Sequence, residues 1–339
     1  TIDEKVDQIV ASMSQTEKLG QMVMIGIQGT KVDDDSLYML NQYHMGGVIL
    51  FDRNMESPEQ VKQLTSDLQA QSNEKVPLFI GIDEEGGDVV RMAEKLTPAP
   101  SQKEIGATGD IEQAKTWAIK TAKSLKDMGI NVNFAPVADV GSNDKRSYST
   151  DANTVIDFVR AATKGYQQEN IIYSLKHFPG IGKGKVDSHI DSSSIDVAKE
   201  VLMTEDILPF KTIIDESDPN DYFILVSHLK YLALDEEYPA SLSSKIMTDL
   251  LRNKLGYKGI IITDDMEMGA VANHNDFRSI GVNAVKAGAD IVLVCHEYKH
   301  QQEVYLGLLD TVNSGEISQE RIDESVKRII KVKLLHLYQ

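Results

Sequence analysis

The feature that most constrains the fold is a repeated alternation of short apolar runs with longer amphipathic segments. The short runs are mostly continuous stretches of Val, Ile, Leu and Phe, which is typical of strands covered on both faces in a parallel sheet. The eight runs lie at 22–27, 47–51, 78–83, 132–137, 173–177, 222–227, 259–263 and 290–295. Eight strands that alternate with helices predict an α/β chain that forms a single (β/α)8 TIM-like barrel.

Helical spacing of apolar residues predicts helices between most of these runs. The predicted helices lie at 58–71, 111–128, 154–167, 198–214, 245–255, 279–287, 300–312 and 318–335. The segment 87–100 is too short and too rich in proline for a full helix, so we expect an irregular loop there. No linker or low-complexity segment interrupts the chain, which favours one catalytic domain over residues 1–339.

Residues 1–18 predict an added N-terminal helix that closes the bottom of the barrel. A capping-box pattern from Ser14 to Glu17 would divide this segment into two helices. The chain begins with Thr1 and no initiator methionine, which indicates a cleaved or trimmed N-terminus. This favours a secreted or cell-envelope protein and leaves a cytoplasmic location open.

Composition narrows the range of partners. The 339 residues carry a formal net charge of −17, which opposes binding to nucleic acid or to anionic membranes. No apolar run is long enough to span a bilayer. Cys295 is the only cysteine, so an internal disulfide is excluded. We expect a monomer that acts on a small molecule.

Several polar residues stand at the carboxyl ends of predicted strands. Asp83 ends the third strand, Lys176 and His177 end the fifth, and Asp264 follows the seventh. In a parallel barrel these ends meet at one mouth, where catalytic residues lie. A glycine-rich segment with an Asp-Ser-His sequence at 187–189 follows the fifth strand.

The Lys-His-Phe-Pro-Gly sequence at 176–180, together with Asp-Ser-His at 187–189, resembles the signature of the β-N-acetylglucosaminidases of glycoside hydrolase family 3. Those enzymes remove N-acetylglucosamine from cell-wall fragments. Further matching segments occur in the family's order along most of the chain. They lie at 46–51, 82–87, 133–140, 146–148 and 263–266.

The resemblance implies hydrolysis with retention of the anomeric configuration through a covalent glycosyl-aspartate intermediate. It implies that Asp264 is the nucleophile and that His189, oriented by Asp187, is the acid/base. An imidazole suits this role because its unperturbed pKa of about 6.5 lies close to neutrality. Asp265 is expected to point away from the mouth, because successive strand residues alternate, and at most to cap the next helix.

The same resemblance implies a sugar-binding set of Asp83, Arg91, Arg146, Lys176 and His177. The sequence departs from the family pattern at Asp88, where arginine is usual, and at Ile181, where histidine is usual. The loop before Arg146 is also shorter than the family norm. The first two departures are expected to alter the outer part of the site.

Other chemistries stay open at this point. Lys176 at a strand end could form a Schiff base in a lyase. The scaffold could instead serve a β-glucosidase, a glycoside phosphorylase or a catalytically silent sugar-binding protein. The chain lacks His-Glu-x-x-His and any cysteine pair, so we expect no metal and no cofactor.

Overall fold

Parallel strands form the centre of the molecule. The computed structural model describes residues 1–72, 76–141, 145–184 and 193–338. The eight strands of the main sheet are β1 (Val23–Gly26), β2 (Gly47–Leu50), β3 (Phe79–Ile82), β4 (Val132–Asn133), β5 (Ile172–Phe178), β6 (Tyr222–Val226), β7 (Ile260–Thr263) and β8 (Val292–Val294). All strand pairs in this sheet are parallel, and their order is β8-β1-β2-β3-β4-β5-β6-β7.

The sheet closes on itself through a parallel bridge between Ile262 on β7 and Ile291 just before β8. Every strand residue is buried, as expected for strands with helices outside and side chains filling the interior. The predicted (β/α)8 barrel is therefore confirmed. No helix in the described part of the chain is long and apolar enough to cross a membrane.

Helices surround the barrel. The α-helices span Ile2–Ser12, Gln15–Gln21, Asp34–Gln42, Pro58–Ala70, Gln102–Ala107, Ile111–Asp127, Ala152–Gln168, Lys199–Val201, Leu208–Glu216, Gly269–Ala272, Phe277–Ala287, Tyr298–Asn313 and Gln319–His336. Segments of π-helix span Leu202–Asp206 and Lys245–Lys254, and 3₁₀ turns span Asp52–Asn54 and Ala240–Leu242. The helix Asp34–Gln42 is absent from the sequence-based prediction. A small ribbon outside the barrel pairs Ser194–Ile195 with Lys230–Tyr231.

The N-terminal segment forms two helices, as the capping box indicates. The Ser14 hydroxyl accepts a hydrogen bond from the Glu17 amide at 3.3 Å, and the Glu17 carboxylate accepts one from the Ser14 amide at 2.7 Å. These bonds satisfy amides that a helix start leaves without partners. An Asp7–Lys327 ion pair of 2.7 Å ties the first helix to the C-terminal helix Gln319–His336.

One strand is shorter than the sequence suggests. The apolar run at 132–137 forms regular ladder only at Val132–Asn133. Pro136 lacks a backbone N–H and cannot continue the ladder. The run stays attached to β5 because the Ala135 carbonyl accepts from the Ser174 amide at 3.1 Å and Val137 forms a bridge with Lys176.

Candidate active site

The carboxyl ends of the barrel strands surround a cavity of about 300 Å³. Cavities that bind small molecules span roughly 300–1,000 Å³. Six of the eight residues predicted for the site line this cavity, and they are Asp83, Arg91, Arg146, Lys176, His177 and Asp264. The other two, Asp187 and His189, lie outside the described residues.

Lys176 lies deep in one wall between two carboxylates. Its ammonium is 2.9 Å from Asp83 Oδ1 and 2.7 Å from Glu85 Oε1. Burial alone would lower the pKa of Lys176, but the charges of Asp83 and Glu85 outweigh it and raise the pKa. The amine is therefore protonated, which makes it a hydrogen-bond donor and removes its nucleophilic lone pair.

Lys176 and His177 are consecutive, yet both side chains border the cavity. The pairing of β5 with β6 shifts register between Leu175 and Phe178, and such an irregularity redirects side chains. His177 Nδ1 lies 2.8 Å from Asp139 Oδ2, and its Nε2 lies 3.2 Å from an Arg146 nitrogen. Arginine only donates, so Nε2 accepts and Nδ1 carries the proton that Asp139 accepts.

Arg146 forms a two-point ion pair with Glu85. Its Nε donates to Glu85 Oε2 at 2.9 Å and its Nη2 donates to Oε1 at 2.6 Å. Burial would raise the pKa of Glu85, but Lys176 and Arg146 hold it well below its usual range. The ionised Glu85 thus fixes both cations, and the Arg146 position predicted from the resemblance lies at the cavity despite the shortened loop.

Glu85 and Asp139 received no role from the sequence, although both lie in the motifs at 82–87 and 133–140. Each follows a strand end that the sequence locates. The signal that could have found them is the presence of an acidic residue shortly after an apolar run, where it cannot contribute to the apolar core. Their partners lie on β5 or in the loop that follows β4, so their roles depend on the closed barrel.

Arg91 lies at the rim of the cavity. Its guanidinium is 3.8 Å from Asp83 Oδ2, 3.5 Å from Asp52 Oδ2 and above the Phe51 ring. Its backbone amide donates to Glu84 Oε2 at 2.7 Å. Burial raises the pKa of Glu84 to about 7, because the single backbone bond and the nearby arginine offset only part of the desolvation.

Asp264 follows β7 directly, and its backbone amide donates to the Val226 carbonyl at 3.0 Å. Its Oδ1 accepts from the Asp265 amide at 2.8 Å. The half-buried carboxylate borders the cavity, as does the Lys176 cluster at the ends of β3 and β5. This arrangement combines a carboxylate with fixed donors, as glycoside cleavage requires.

The expectations for Asp265 need correction. Asp265 also borders the cavity, because β7 ends at Thr263 and the alternation of side chains no longer applies beyond it. It does not cap the next helix, whose N-cap is Met268. Asp265 Oδ1 instead accepts from the amides of Glu267 and Cys295, both at 3.1 Å.

The two departures from the family pattern also border the cavity. Asp88 is exposed at the rim, 3.8 Å from the Lys145 ammonium. The Ile181 amide donates to Asp139 Oδ1 at 2.9 Å, so this position holds the carboxylate that orients His177. Among the described residues, no group of three His, Cys, Asp or Glu side chains could hold a metal ion.

Comparison with known proteins assigns most of the chain to one family. Residues 14–332 match the model described as the glycosyl hydrolase family 3 N terminal domain. The chain is 35% identical over 326 residues to beta-hexosaminidase A of Pseudoalteromonas piscicida, which covers 87% of this chain and 54% of that protein. It is 30% identical over 316 residues to the beta-hexosaminidase of Haemophilus influenzae, which covers 90% of this chain and 89% of that protein.

A solved structure shows the same fold. A glycoside hydrolase family 3 beta-N-acetylglucosaminidase from Paenibacillus sp. str. FPU-7 superposes with a TM-score of 0.92 and 37% sequence identity. The match covers 95% of this chain and 62% of that one. The present chain thus spans a little over half of the Pseudoalteromonas relative and less than two thirds of the Paenibacillus chain.

Proposed function

Because the chain belongs to glycosyl hydrolase family 3, we propose that it is a retaining exo-β-N-acetylglucosaminidase contained in one catalytic barrel domain over residues 1–339. The substrate is a terminal β-linked N-acetylglucosamine, with peptidoglycan fragments as its source. One observation carries the proposal: the Asp264 carboxylate and the Asp83–Lys176–Glu85 cluster line the same cavity. The beta-hexosaminidase relatives support the choice of sugar.

The cluster suits recognition of a non-reducing sugar ring. Lys176 and Arg146 donate hydrogen bonds from positions that Glu85 fixes, and Asp83 accepts from sugar hydroxyls. His177 is oriented by Asp139 and contributes an imidazole edge. Groups held by several partners need little rearrangement when the sugar binds, and this preserves binding energy.

In the proposed mechanism, Asp264 attacks the anomeric carbon and forms a glycosyl-aspartate while the bond to the leaving oxygen breaks. His189 donates a proton to that oxygen, with Asp187 orienting the imidazole. Water then attacks the intermediate, His189 accepts the proton of the water, and Asp264 is released. The assignment of His189 and Asp187 rests on the sequence resemblance.

The test is a comparison of initial rates on an aryl β-N-acetylglucosaminide and on the matching aryl β-glucoside, each with and without inorganic phosphate. We expect faster hydrolysis of the N-acetylglucosaminide, no dependence on phosphate and a β-configured first product. Preference for the glucoside would indicate a β-glucosidase, and a sugar phosphate product would indicate a phosphorylase. No turnover of either substrate would favour a silent sugar-binding protein.

Asp264 is tested by covalent labelling with a fluorinated N-acetylglucosaminyl fluoride, which slows hydrolysis of the intermediate. We expect the label on Asp264 in a peptide digest. A label on Asp265 or Asp83 would contradict the assignment.

The protonated state of Lys176 opposes the Schiff-base alternative, which needs a neutral amine. Borohydride treatment in the presence of a carbonyl substrate should leave Lys176 unmodified. A reduced adduct at Lys176 would favour a lyase.

A further inference from the structure

A chain of side-chain hydrogen bonds reaches the cavity at His296 and Asp265 and ends beside the proposed nucleophile. Arg53 Nη1 lies 2.9 Å from His296 Nδ1, and His296 Nε2 lies 3.3 Å from Asp265 Oδ2. Arg53 is itself fixed by bonds to the carbonyls of Ile27 at 2.9 Å and Cys295 at 2.5 Å. The three residues come from the ends of different strands.

The direction of these hydrogen bonds follows from which side-chain groups can donate and which can accept. A guanidinium only donates, so His296 Nδ1 accepts from Arg53. The ring proton is then on Nε2, which donates it to the Asp265 carboxylate, and this hydrogen bond raises the pKa of His296. His296 thus accepts a hydrogen bond from a cation on one ring nitrogen and donates one to a carboxylate from the other.

Asp265 connects these hydrogen bonds to the proposed nucleophile. Its carboxylate is held by His296 on Oδ2 and by the Glu267 and Cys295 amides on Oδ1. Its backbone amide donates to Asp264 Oδ1 at 2.8 Å, which leaves Oδ2 of Asp264 for attack. We propose that His296 is a positioning residue for the nucleophile, because it fixes the Asp265 turn whose amide orients Asp264. This proposal rests on the assignment of Asp264 in the proposed function.

The backbone offers a way to isolate the side-chain effect. The amides of His296 and Glu297 donate to the Glu267 carboxylate, which already ties the Asp265 turn to the end of β8. A substitution at His296 keeps these bonds, so the turn stays folded. The side-chain contacts that change are the Arg53–His296–Asp265 bonds and the contact with the Phe51 ring, whose centroid lies 5.3 Å from that of the imidazole.

Two variants separate hydrogen bonding from shape. His296→Gln retains an amide oxygen that accepts from Arg53 and an amide nitrogen that donates to Asp265. His296→Phe retains an aromatic ring of similar size and loses both bonds. The measurement is the rate of covalent labelling of Asp264 by the fluorinated N-acetylglucosaminyl fluoride, together with kcat and KM on aryl substrates. Fluoride needs little protonation to leave, so the labelling rate reports the nucleophile and is insensitive to the acid.

We expect His296→Phe to slow labelling and kcat about tenfold, by the same factor for good and poor leaving groups, with KM changed less than threefold. This follows because misplacing an attacking atom reduces its effective concentration. His296→Gln should retain most of the wild-type labelling rate. Asp265→Asn should resemble His296→Phe, because its amide would donate toward an Nε2 that already carries a proton.

Wild-type labelling in His296→Phe, equal losses in both variants, or a loss confined to KM would overturn the proposal. If the wild-type protein is labelled at another residue, the proposed function loses its nucleophile. If the wild type is labelled at Asp264 and the two variants behave alike, only the role of His296 fails.

Discussion

The Asp139 carboxylate lies 2.8 Å from His177 Nδ1, and the two residues are 38 positions apart in the sequence. Both side chains are almost fully buried beside the cavity. Asp139 Oδ1 also accepts from the amides of His177 and Ile181, at 3.2 and 2.9 Å. One carboxylate therefore sets both the tautomer of His177 and the path of the loop that follows β5.

Asp139→Asn should lower kcat/KM about 10- to 100-fold while the protein stays folded. The amide can still accept from the two backbone groups, but its nitrogen donates toward His177 Nδ1. His177 then carries its proton on Nε2, where it faces the donor of Arg146. Steady-state kinetics and circular dichroism check this. Unchanged kinetics would show that the tautomer of His177 does not matter for turnover.

Glu85→Gln should destabilise the protein by about 3–5 kcal/mol at pH 7 and raise KM, since it leaves Lys176 and Arg146 without their shared buried counter-charge. The pKa of Glu85 is depressed in the folded protein, so its stabilising effect is present above the unfolded pKa of about 4.3. The stability gap between the two proteins should narrow as the pH falls below that value.

Urea unfolding of the wild type and of Glu85→Gln at pH 7 and at pH 3.5 measures this gap. Glu85→Asp is the matched control, because it keeps the charge and shortens the side chain. A gap independent of pH would show that packing, and not charge, accounts for the destabilisation.

Glu84→Gln should stabilise the protein at alkaline pH and leave it unchanged at acidic pH. The folded-state pKa of Glu84 is raised to about 7, so the folded protein binds the proton more tightly than the unfolded chain does. The associated stability is complete below about pH 4.3 and is lost as the pH rises through 7. Glutamine retains an acceptor for the Arg91 amide and never ionises.

The expected gain for Glu84→Gln at pH 8 is up to about 3 kcal/mol, from a shift of roughly 2.5 pKa units at about 1.36 kcal/mol each. Melting temperatures of both proteins at pH 4.5 and pH 8 measure it. If the melting temperatures of the two proteins changed with pH by the same amount, the result would contradict a buried Glu84 with a raised pKa.

His189→Ala should reduce turnover most for substrates with poor leaving groups, because a good leaving group needs little protonation. Hydrolysis of the intermediate should also slow, so KM falls together with kcat. Azide should restore part of the rate by attacking the intermediate. Asp187→Ala should show a milder form of this pattern. Equal losses on all substrates, with no azide rescue, would argue that His189 does not transfer the proton.

The sequence by itself determined the barrel. Short continuous apolar runs are typical of strands covered on both faces, and their alternation with helices leaves few topologies. It also located Asp83, Lys176 and Asp264 at strand ends, because a chain position at the end of a parallel strand implies a position at the mouth. The boundaries of β4 were less certain, since Pro136 interrupts the ladder without breaking the run.

Only the tertiary structure decided which polar groups act together. Glu85 joins Lys176 and Arg146, Asp139 orients His177, and Arg53 connects through His296 to the Asp265 turn. Each contact joins the ends of strands far apart in the chain. No periodicity encodes such a contact, because it follows from barrel closure and from side-chain directions at positions where the regular alternation of a strand has ended.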